Sequence, residues 1–396
     1  MTRFFAMVRE QWIITLALTP LTLLLFQQVS VVGLLANLLA IPWVTLVVTP
    51  LCMLGVLVPP LWQGAAVAID ALGWVLQLLV KWPFATISVA APAMWMGASA
   101  ILGGIVLVLR LPWGWRAMGV PLLLPVLLWQ TPRPPLGHFE LMAVDIGQGN
   151  AVVVRTAGHT LVFDTGPRYG YDSDAGQRVL VPLLRAMDET VDTLVVSHRD
   201  SDHSGGAASL LATQPQATLL SSIEAAHPLQ AVRPVQRCMA GQSWTWEGVQ
   251  FAVLHPQSTD YDTPQKPNAL SCVLRVSNAT GSALLVADIE QPQEARLVAS
   301  HAALQADVLL VPHHGSKTSS SPAFLDAVQP RFALVQAGYR NRFGHPAPPV
   351  LERYQERSIS VVASSHCGAA TWQSTAPRQI GCDRQDDPRY WQHYPP

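Results

Sequence analysis

The first third of this 396-residue sequence contains very little charge. Residues 1–133 have only two acidic side chains, Glu10 and Asp70, six Lys or Arg and no histidine. A soluble domain carries many charged side chains on its surface, so this composition disfavours an ordinary globular domain and favours a segment embedded in lipid. The apolar segments continue far beyond the apolar core of a signal peptide, which disfavours a cleavable signal.

The remaining residues, 134–396, lack an excess of positive charge. They contain 19 Lys or Arg, 24 Asp or Glu, and all 12 histidines. A strongly basic surface is the usual mark of tight non-specific nucleic-acid binding, and the composition gives no sign of one. A bound divalent metal would nevertheless make a local site positive.

The five cysteines include no pair spaced as Cys-x-x-Cys, which disfavours a zinc site built from cysteine. Cys367 and Cys382 flank two short strand-like runs, Ala369–Ser374 and Arg378–Gly381. A hairpin there would bring the two thiols within disulfide range in an oxidising compartment. Free buried thiols are the equally supported alternative.

Apolar runs in the first third predict membrane spans, because about 20 apolar residues cross a bilayer as a helix. About five spans are predicted, near Trp12–Phe26, Val31–Val58, Leu61–Val80, Met94–Leu109 and Met118–Trp129. We therefore predict a transmembrane region over residues 1–130, a proline-rich linker over 131–137, and a soluble domain over 138–396.

Positive side chains near the span ends predict the orientation of the chain. Arg3 and Arg9 precede the first span, and Arg110 and Arg116 lie between the fourth and the fifth. With five spans both groups fall on one side, which should be cytoplasmic; Lys81 is the exception. The soluble domain would then be periplasmic or extracellular, and one span more or fewer would reverse this orientation.

Short apolar runs in the soluble part predict β-strands, and polar residues follow several of them. Strands are predicted at Phe139–Asp145, Asn150–Thr156, Thr160–Phe163, Thr193–Val196, Ala283–Val286, Val308–Val311 and Arg331–Gln336, with a helix over Arg178–Met187. The first two strands flank Ile-Gly-Gln-Gly, which predicts a tight hairpin turn.

Four metal-ligand side chains follow the strand Thr193–Val196 within six residues, in the pattern His-x-Asp-x-Asp-His. They are His198, Asp200, Asp202 and His203. A strand end and a tight loop can direct all four toward one point, and imidazole with carboxylate suits a divalent metal. A charged surface loop of chance composition is the alternative, which this clustering disfavours. Further Asp and His side chains follow later predicted strands: Asp288, His313, His314 and His345.

These motifs resemble the metallo-β-lactamase superfamily. In their detailed residue sequence they resemble the ComEC family of bacterial inner-membrane DNA-uptake proteins. The matching segments are residues 145–150, 164–166, 198–206, 268–274, 287–290, 312–316 and 344–346, with 28–42 in the membrane part. The resemblance implies a polytopic α-helical membrane region followed by an αββα metallo-β-lactamase-like domain.

The resemblance also implies the roles of individual residues. One or two divalent ions would be held by His198, Asp200, Asp202, His203, Asp288 and one of His313 and His314. Asp288 would bridge two ions, and Asp202 would orient or deprotonate the attacking water. His345, Ser316 and Lys317 would meet a leaving group or phosphate, with ordinary polar surface as the alternative for His345 and Lys317. Asp164, like Ser316, would support the ligands through hydrogen bonds.

Two positions depart from the pattern of these relatives. Asp200 stands where the superfamily usually has histidine, so the site is richer in oxygen and shifts from Zn²⁺ toward Mn²⁺ or Mg²⁺. Asn150 stands where the family commonly has aspartate, which removes a carboxylate from that position.

The family's members also carry an N-terminal soluble domain and more channel helices. This chain is therefore expected to be a fragment, a truncated gene product or one half of a split protein.

The function implied by the resemblance is DNA uptake, with one strand transported and the complementary strand degraded by a metal-dependent nuclease-like domain. The implied partners are DNA, membrane lipid, a competence DNA receptor, a cytoplasmic helicase and a chain that supplies the missing channel helices. Two alternatives remain. One is a membrane-tethered metallo-hydrolase of a lactone, thioester or phosphoester, since the same fold serves all of these. The other is a catalytically degenerate binding or gating module.

Overall fold

The computed structural model of the chain describes residues 2–82 and 85–388, with side chains from residue 8 onward. The chain divides into two compact units. The first is Met1–Thr131 with Arg185–Asp188, and the second is Pro132–Leu184 with Glu189–Pro396.

The first unit is helical. Its helices are α1 (Thr2–Phe26), α2 (Gly33–Trp43), α3 (Thr49–Gly55), α4 (Leu61–Val80), α5 (Met94–Val108), α6 (Trp113–Ala117) and α7 (Gly119–Leu127). A π-helical stretch, Val44–Val48, joins α2 to α3 directly after Pro42, whose missing N–H interrupts the α-helical hydrogen bonds. Two short antiparallel strands, β1 (Gln28–Ser30) and β2 (Thr86–Ser88), complete the unit.

Three helical segments of the described chain are long and apolar enough to cross a membrane: Val8–Phe26, Gly33–Gly55 and Leu61–Val80. They correspond to the first three predicted spans. The fourth and fifth predicted spans fall on α5 and α7, which are shorter, with 15 and 9 residues. Pro125 lies inside α7 and limits its regular hydrogen bonding.

The second unit is built from two large sheets. Its strands are β3 (Glu140–Ala143), β4 (Val152–Arg155), β5 (Thr160–Phe163), β6 (Arg168–Gly170), β7 (Ser173–Asp174), β8 (Thr193–Val196), β9 (Thr218–Ser221), β10 (Val235–Arg237), β11 (Ser243–Trp246), β12 (Val249–His255), β13 (Val273–Ser277), β14 (Ser282–Leu285), β15 (Val308–Leu310), β16 (Phe332–Val335), β17 (Ser360–Ala363), β18 (Ala370–Gln373) and β19 (Ile380–Cys382). One sheet has the order β10-β9-β8-β5-β4-β3-β18-β19, and the other runs from β11 to β17 in sequence order. The strands β6 and β7 form a separate small hairpin.

Helices cover the outer faces of both sheets. They are α8 (Val181–Ala186), α10 (Ala207–Thr213), α11 (Leu229–Val232), α12 (Gln291–Ala299), α13 (Pro322–Val328) and α14 (Pro348–Glu356). Three further short helices are α9 (Ser201–Ser204), α15 (Ser364–Cys367) and α16 (Asp383–Asp386). One apolar core lies between the sheets and includes Phe139, Phe251 and Trp372. Two further cores lie between each sheet and its helices. Because both faces of the central strands are buried, their sequences are continuous apolar runs. The predicted αββα architecture is confirmed.

The strands β3 and β4 form the predicted hairpin, but the connection is not a tight turn. Ala143 pairs with Val152, so the loop covers residues 144–151. The side chain of Gln336 holds this loop: its amide nitrogen donates to the carbonyls of Val144 (2.7 Å) and Ala151 (2.8 Å). A side chain that follows the second sheet therefore supports this loop, in addition to the backbone hydrogen bond from Val144 N–H to the Ala151 carbonyl at 3.0 Å.

Two disulfides cross-link the second unit. Cys367 and Cys382 are paired with a Cα–Cα distance of 4.7 Å, at the hairpin of β18 and β19. Cys238 and Cys272 form a second disulfide between buried segments, with a Cα–Cα distance of 6.2 Å. Cys52, in the helical unit, is free.

Candidate metal centre

The predicted metal-ligand side chains follow the ends of strands in both sheets. The buried strand β8 ends at Val196, and His198 and Asp200 follow it; Asp200 then begins the short helix α9. In the second sheet β14, β15 and β16 are parallel, so their carboxyl ends share one edge. Asp288 follows β14 at this edge, and the His-His pair follows β15 in a 3-10 turn, Pro312–Gly315.

Two overlapping groups of ligand atoms result. The ligand atoms of His198, His203 and Asp288 lie within 4.8 Å of one another, as do those of Asp202, His203 and His314. Asp288 Oδ1 is 3.1 Å from His203 Nε2 and 3.5 Å from His314 Nε2. Asp202 Oδ2 is 3.3 Å from His314 Nε2. Imidazole and carboxylate donors therefore converge on one small volume.

The unpaired atoms of this cluster indicate a cation. The Nε2 atoms of His198, His203 and His314, with Oδ1 of Asp288, are buried and have no hydrogen-bond partner within the described chain. An unpaired buried polar atom costs about 1–3 kcal/mol, so four of them pointing at one volume need compensation. A divalent ion accepts lone pairs from these atoms, and the donor set fits such an ion.

Two more of the predicted ligands, Asp200 and His313, lie next to members of these groups. Asp200 Oδ2 lies 3.6 Å from His198 Nε2, with the Asp200 side chain 45% exposed. His313 Nε2 lies 3.6 Å from Asp288 Oδ2, so both histidines of the pair approach this carboxylate, where one was expected. His313 and His314 both have positive φ, of 49° and 54°, and this backbone places consecutive rings at the same carboxylate.

Hydrogen bonds to the far sides of the rings fix their orientation. His203 Nδ1 lies 2.7 Å from Asp164 Oδ2, and Asp164 also accepts from the Ser197 backbone N–H at 2.7 Å. His314 Nδ1 lies 2.9 Å from the Gln336 carbonyl. With Nδ1–H donating in each case, Nε2 is the free lone pair that a metal binds.

Charges within the cluster shift its protonation. Burial lowers the pKa of His203, but the carboxylates of Asp288 and Asp164 outweigh burial and raise it well above its usual value. Burial raises the pKa of Asp288, but His203 and His314 outweigh it and lower that pKa well below the usual range. For Asp202, burial is likewise outweighed by His314 and His203, and the pKa is lowered to about 2. The carboxylates are therefore ionised at neutral pH, and a cation that binds His203 Nε2 would displace the proton that the raised pKa keeps on this ring.

The remaining predicted residues lie at different distances from this centre. The ring of His345 is 5.8 Å from that of His313 and 6.5 Å from that of His314. Ser316 is buried, and its hydroxyl meets Thr318 Oγ1 at 3.1 Å rather than a ligand. Lys317 is exposed.

Asn150 and its loop lie against the ligands. Its side chain is buried, and neither amide atom has a hydrogen-bond partner in the described residues. The preceding Gly149 has φ of +130°, and a Cβ there would lie 2.3 Å from the Asp202 carbonyl. Only glycine allows this close approach of the loop to the ligand segment.

Sequence reasoning missed several residues that support the centre. Ser197 bridges Asp164 and His198 through its hydroxyl, at 2.8 and 3.0 Å. Asn268 Nδ2 lies 3.4 Å from His313 Nε2, and Gln336 orients His314. Ser197 is adjacent to a ligand, which is a usable signal, but nothing in the local sequence marks the position of Gln336.

We expect Asp164→Asn to weaken metal binding by about 10- to 100-fold, the usual effect of losing a carboxylate that orients a ligating histidine. The amide keeps the shape of Asp164 but loses the charge that holds His203 Nδ1–H. Competition with a chromogenic chelator measures the affinity, and thermal unfolding checks the fold. The exposed Asp326→Asn is the matched control. An unchanged affinity in a folded Asp164→Asn variant would contradict this role.

Two family models match the chain. Residues 2–114 match the Competence protein family, and residues 144–339 match the Metallo-beta-lactamase superfamily. Among curated proteins the chain is 36% identical over 372 residues to competence protein ComA of Neisseria gonorrhoeae, covering 91% of this chain and 51% of ComA. It is 33% identical over 377 residues to an uncharacterized protein, YcaI, of Escherichia coli K12, covering 92% and 48%. The chain thus spans about half the length of these two curated relatives.

Other matches are more distant. The ComE operon protein 3 of Bacillus subtilis is 32% identical over 253 residues, covering 58% of this chain and 32% of that protein. Among solved structures, the metallo-hydrolase Igni18 of Ignicoccus hospitalis is 16% identical with a TM-score of 0.41, covering 59% of this chain and 98% of its own.

Proposed function

We propose a DNA-uptake role for this chain, because residues 2–114 match the Competence protein family and residues 144–339 match the Metallo-beta-lactamase superfamily. In this proposal it is an inner-membrane protein whose soluble domain hydrolyses phosphodiester bonds of the strand that is not transported. The similarity to competence protein ComA supports the uptake role. The convergence of unpaired, buried His and Asp donors supports the hydrolytic role and is the observation on which the proposal rests.

Each predicted ligand has a proposed role at the site. Asp202, His203, His314 and Asp288 would hold one ion; His198 and Asp200, with Asp288 shared, would hold a second. A divalent ion supplies Lewis acidity, which activates a water molecule and neutralises phosphate charge. Asp164 keeps the His203 ring in its ligating orientation.

His345 is the proposed proton carrier. Burial, His314 and His313 lower its pKa, so its ring is neutral at neutral pH. Its buried Nδ1 lacks a partner in the part of the chain that is described. A neutral ring in this position would accept the proton released by the attacking water and then return it to the leaving oxygen. Lys317, on the exposed rim, would attract the phosphate, and the buried Ser316 would hold the ligand turn.

The donor types support a proposal for the metal. Asp200, Asp202 and Asp288 contribute oxygen, and the histidines contribute nitrogen. This mixture suits Mn²⁺ or Zn²⁺, with Mg²⁺ favoured by further oxygen ligands from substrate and water. We propose Mn²⁺ as the working ion because Asp200 replaces a nitrogen donor.

We propose a multi-pass plasma-membrane location with the soluble domain outside the cytoplasm. The three long apolar helices and the two disulfides support this location, because disulfides persist in oxidising compartments. The proposed partners are DNA, membrane lipid, a DNA receptor, a cytoplasmic helicase and a further chain that supplies channel helices.

Thiol counting tests the compartment. We expect one cysteine, Cys52, to react with a maleimide when the protein is denatured without reductant, and all five to react after reduction. Mass spectrometry of protein purified from membranes under alkylating conditions gives the count. Five reactive cysteines without reductant would indicate that the soluble domain matures in a reducing compartment.

A metal-dependent cleavage assay tests the proposed reaction. The full chain in detergent, loaded with Mn²⁺, Zn²⁺ or Mg²⁺, is incubated with end-labelled single-stranded DNA and, separately, with a lactone and a thioester. We expect DNA cleavage that chelation abolishes and metal restores. Cleavage that survives chelation, or hydrolysis of the lactone or thioester alone, would overturn the proposal.

A further inference from the structure

A cavity of about 510 Å³ opens directly beside the metal centre. His198, a ligand, forms part of its wall, so anything bound in the cavity lies next to the ions. Volumes of 300–1,000 Å³ are typical of ligand pockets. The other walls carry two guanidinium groups and a tyrosine ring, from Arg199, Arg237 and Tyr261.

Arg237 and Tyr261 form a flat, anchored surface. The guanidinium carbon of Arg237 lies 4.7 Å from the centre of the Tyr261 ring. The Tyr261 hydroxyl donates to the carbonyl of Cys238 at 2.6 Å, and the disulfide to Cys272 ties that residue to the centre of the fold. The Arg237 side chain is exposed and Tyr261 is partly exposed, so this surface is open to a ligand. An arginine plane stacked on an aromatic ring is a surface on which an unpaired base stacks.

Arg199 supplies a charge between this surface and the metal centre. It is adjacent to His198 in sequence and forms an exposed ion pair with Glu224 at 3.2 Å. An exposed pair of this kind is weak, so a phosphate can displace the Glu224 carboxylate. Glu224 and Asp262 also line the cavity, and they oppose an anion until it displaces them or metal charge offsets them.

We propose that this cavity is a nucleotide subsite of the metal centre, which takes a single-stranded nucleic acid. A base stacks on the Arg237–Tyr261 surface, and the adjoining phosphate binds Arg199, so the next phosphodiester reaches the ions. A paired base could not stack there, because its face is already covered by its neighbours. This inference rests on the proposed function and adds the residues that select the substrate.

Binding measurements separate the subsite from the reaction. The full chain in detergent with Mn²⁺ is titrated with a fluorescent oligothymidine phosphorothioate, which resists hydrolysis. We expect Tyr261→Leu and Arg237→Ala each to weaken binding about tenfold, the typical effect of losing one stacked base. Tyr261→Phe keeps the ring and should bind nearly as tightly as the unmodified chain. The matched control is Arg331→Ala, at the opposite end of β16 from the metal centre.

Two further readouts report on charge. Arg199→Gln should lower the slope of log affinity against log salt by about 0.7, the value for one phosphate contact on a single strand. Glu224→Gln should tighten binding several-fold, because it frees Arg199. An oligomer with abasic sites should bind the unmodified chain more weakly but lose nothing further in Tyr261→Leu.

The reaction is followed in parallel with two substrates, an unmodified oligothymidine that can be cleaved and bis(4-nitrophenyl) phosphate, which has no base. If the unmodified chain hydrolyses neither substrate but these variants change binding as expected, the subsite stands and the proposed reaction fails. If the oligonucleotide is cleaved while Arg237→Ala and Tyr261→Leu match Arg331→Ala in binding and in kcat/KM, the subsite is wrong. Equal binding of duplex and single-stranded DNA would also overturn it.

Discussion

Replacing Asp202 with asparagine should lower kcat for phosphodiester hydrolysis by about a thousandfold, comparable to the loss of one preorganised electrostatic contact in an active site. Asp202 Oδ2 lies 3.3 Å from His314 Nε2, among the ligand atoms that converge on the site. The amide has the same shape but no charge. It therefore loses the attraction to the cation and the orientation of the attacking water.

The lowered pKa of Asp202 favours a role as a metal ligand over a role as a general base. At about 2, this carboxyl is ionised throughout the physiological range and is a weak base. We therefore expect Asp202→Asn to lower kcat without moving the pH optimum. This is the result for loss of a metal ligand, whereas loss of a general base would change the pH dependence. The assay uses saturating Mn²⁺, so that occupancy does not limit the rate. Asp326→Asn, an exposed carboxylate paired with Arg357, is the control. A variant that keeps more than about a tenth of the activity would refute this role.

Replacing Arg155 with alanine should destabilise the second unit by about 3–5 kcal/mol, the usual effect of breaking a buried ion pair from one side. Arg155 lies between two carboxylates, 2.9 Å from Glu140 Oε1 and 2.7 Å from Glu189 Oε1. It also donates to the carbonyl of Pro132 at 3.0 Å. Glu189 keeps Arg133 and Thr160 as partners, so Glu140 is the carboxylate left poorly compensated.

Chemical unfolding in detergent, followed by proteolysis, measures this loss. Arg357→Ala is the matched control, because Arg357 pairs with the exposed Asp326 and an exposed pair contributes little. Arg155→Ala should unfold at clearly lower denaturant concentration than the control. Equal midpoints in the two variants would show that the buried network does not stabilise this unit.

The local sequence pattern was sufficient to predict features that depend on one strand and on the residues that directly follow it. The apolar run Thr193–Val196 is a strand as predicted, and the His-x-Asp-x-Asp-His segment follows it at the site. The predicted strand over 308–311 likewise ends before the His-His pair. Strand burial and strand ends are properties that spacing and composition report directly.

Features that depend on contacts between distant segments could not be predicted from the local sequence pattern. The sequence could not show that Gln336 holds the loop 144–151, or that both His313 and His314 approach Asp288. The cavity beside His198 joins Arg199, Arg237 and Tyr261, which are far apart in sequence. Hydrophobic periodicity reports which face is buried, but it does not report which remote side chain packs against it.

Metal analysis of the full chain, combined with cleavage of single-stranded DNA, tests the central claim most directly. Asp288 lies in both proposed ion sites, so Asp288→Asn should remove the metal while Asp326→Asn should not. We predict one or two divalent ions per chain in the unmodified protein, and loss of both metal and cleavage in Asp288→Asn. Full metal content and full activity in a folded Asp288→Asn variant would contradict the assignment of this cluster as the metal centre.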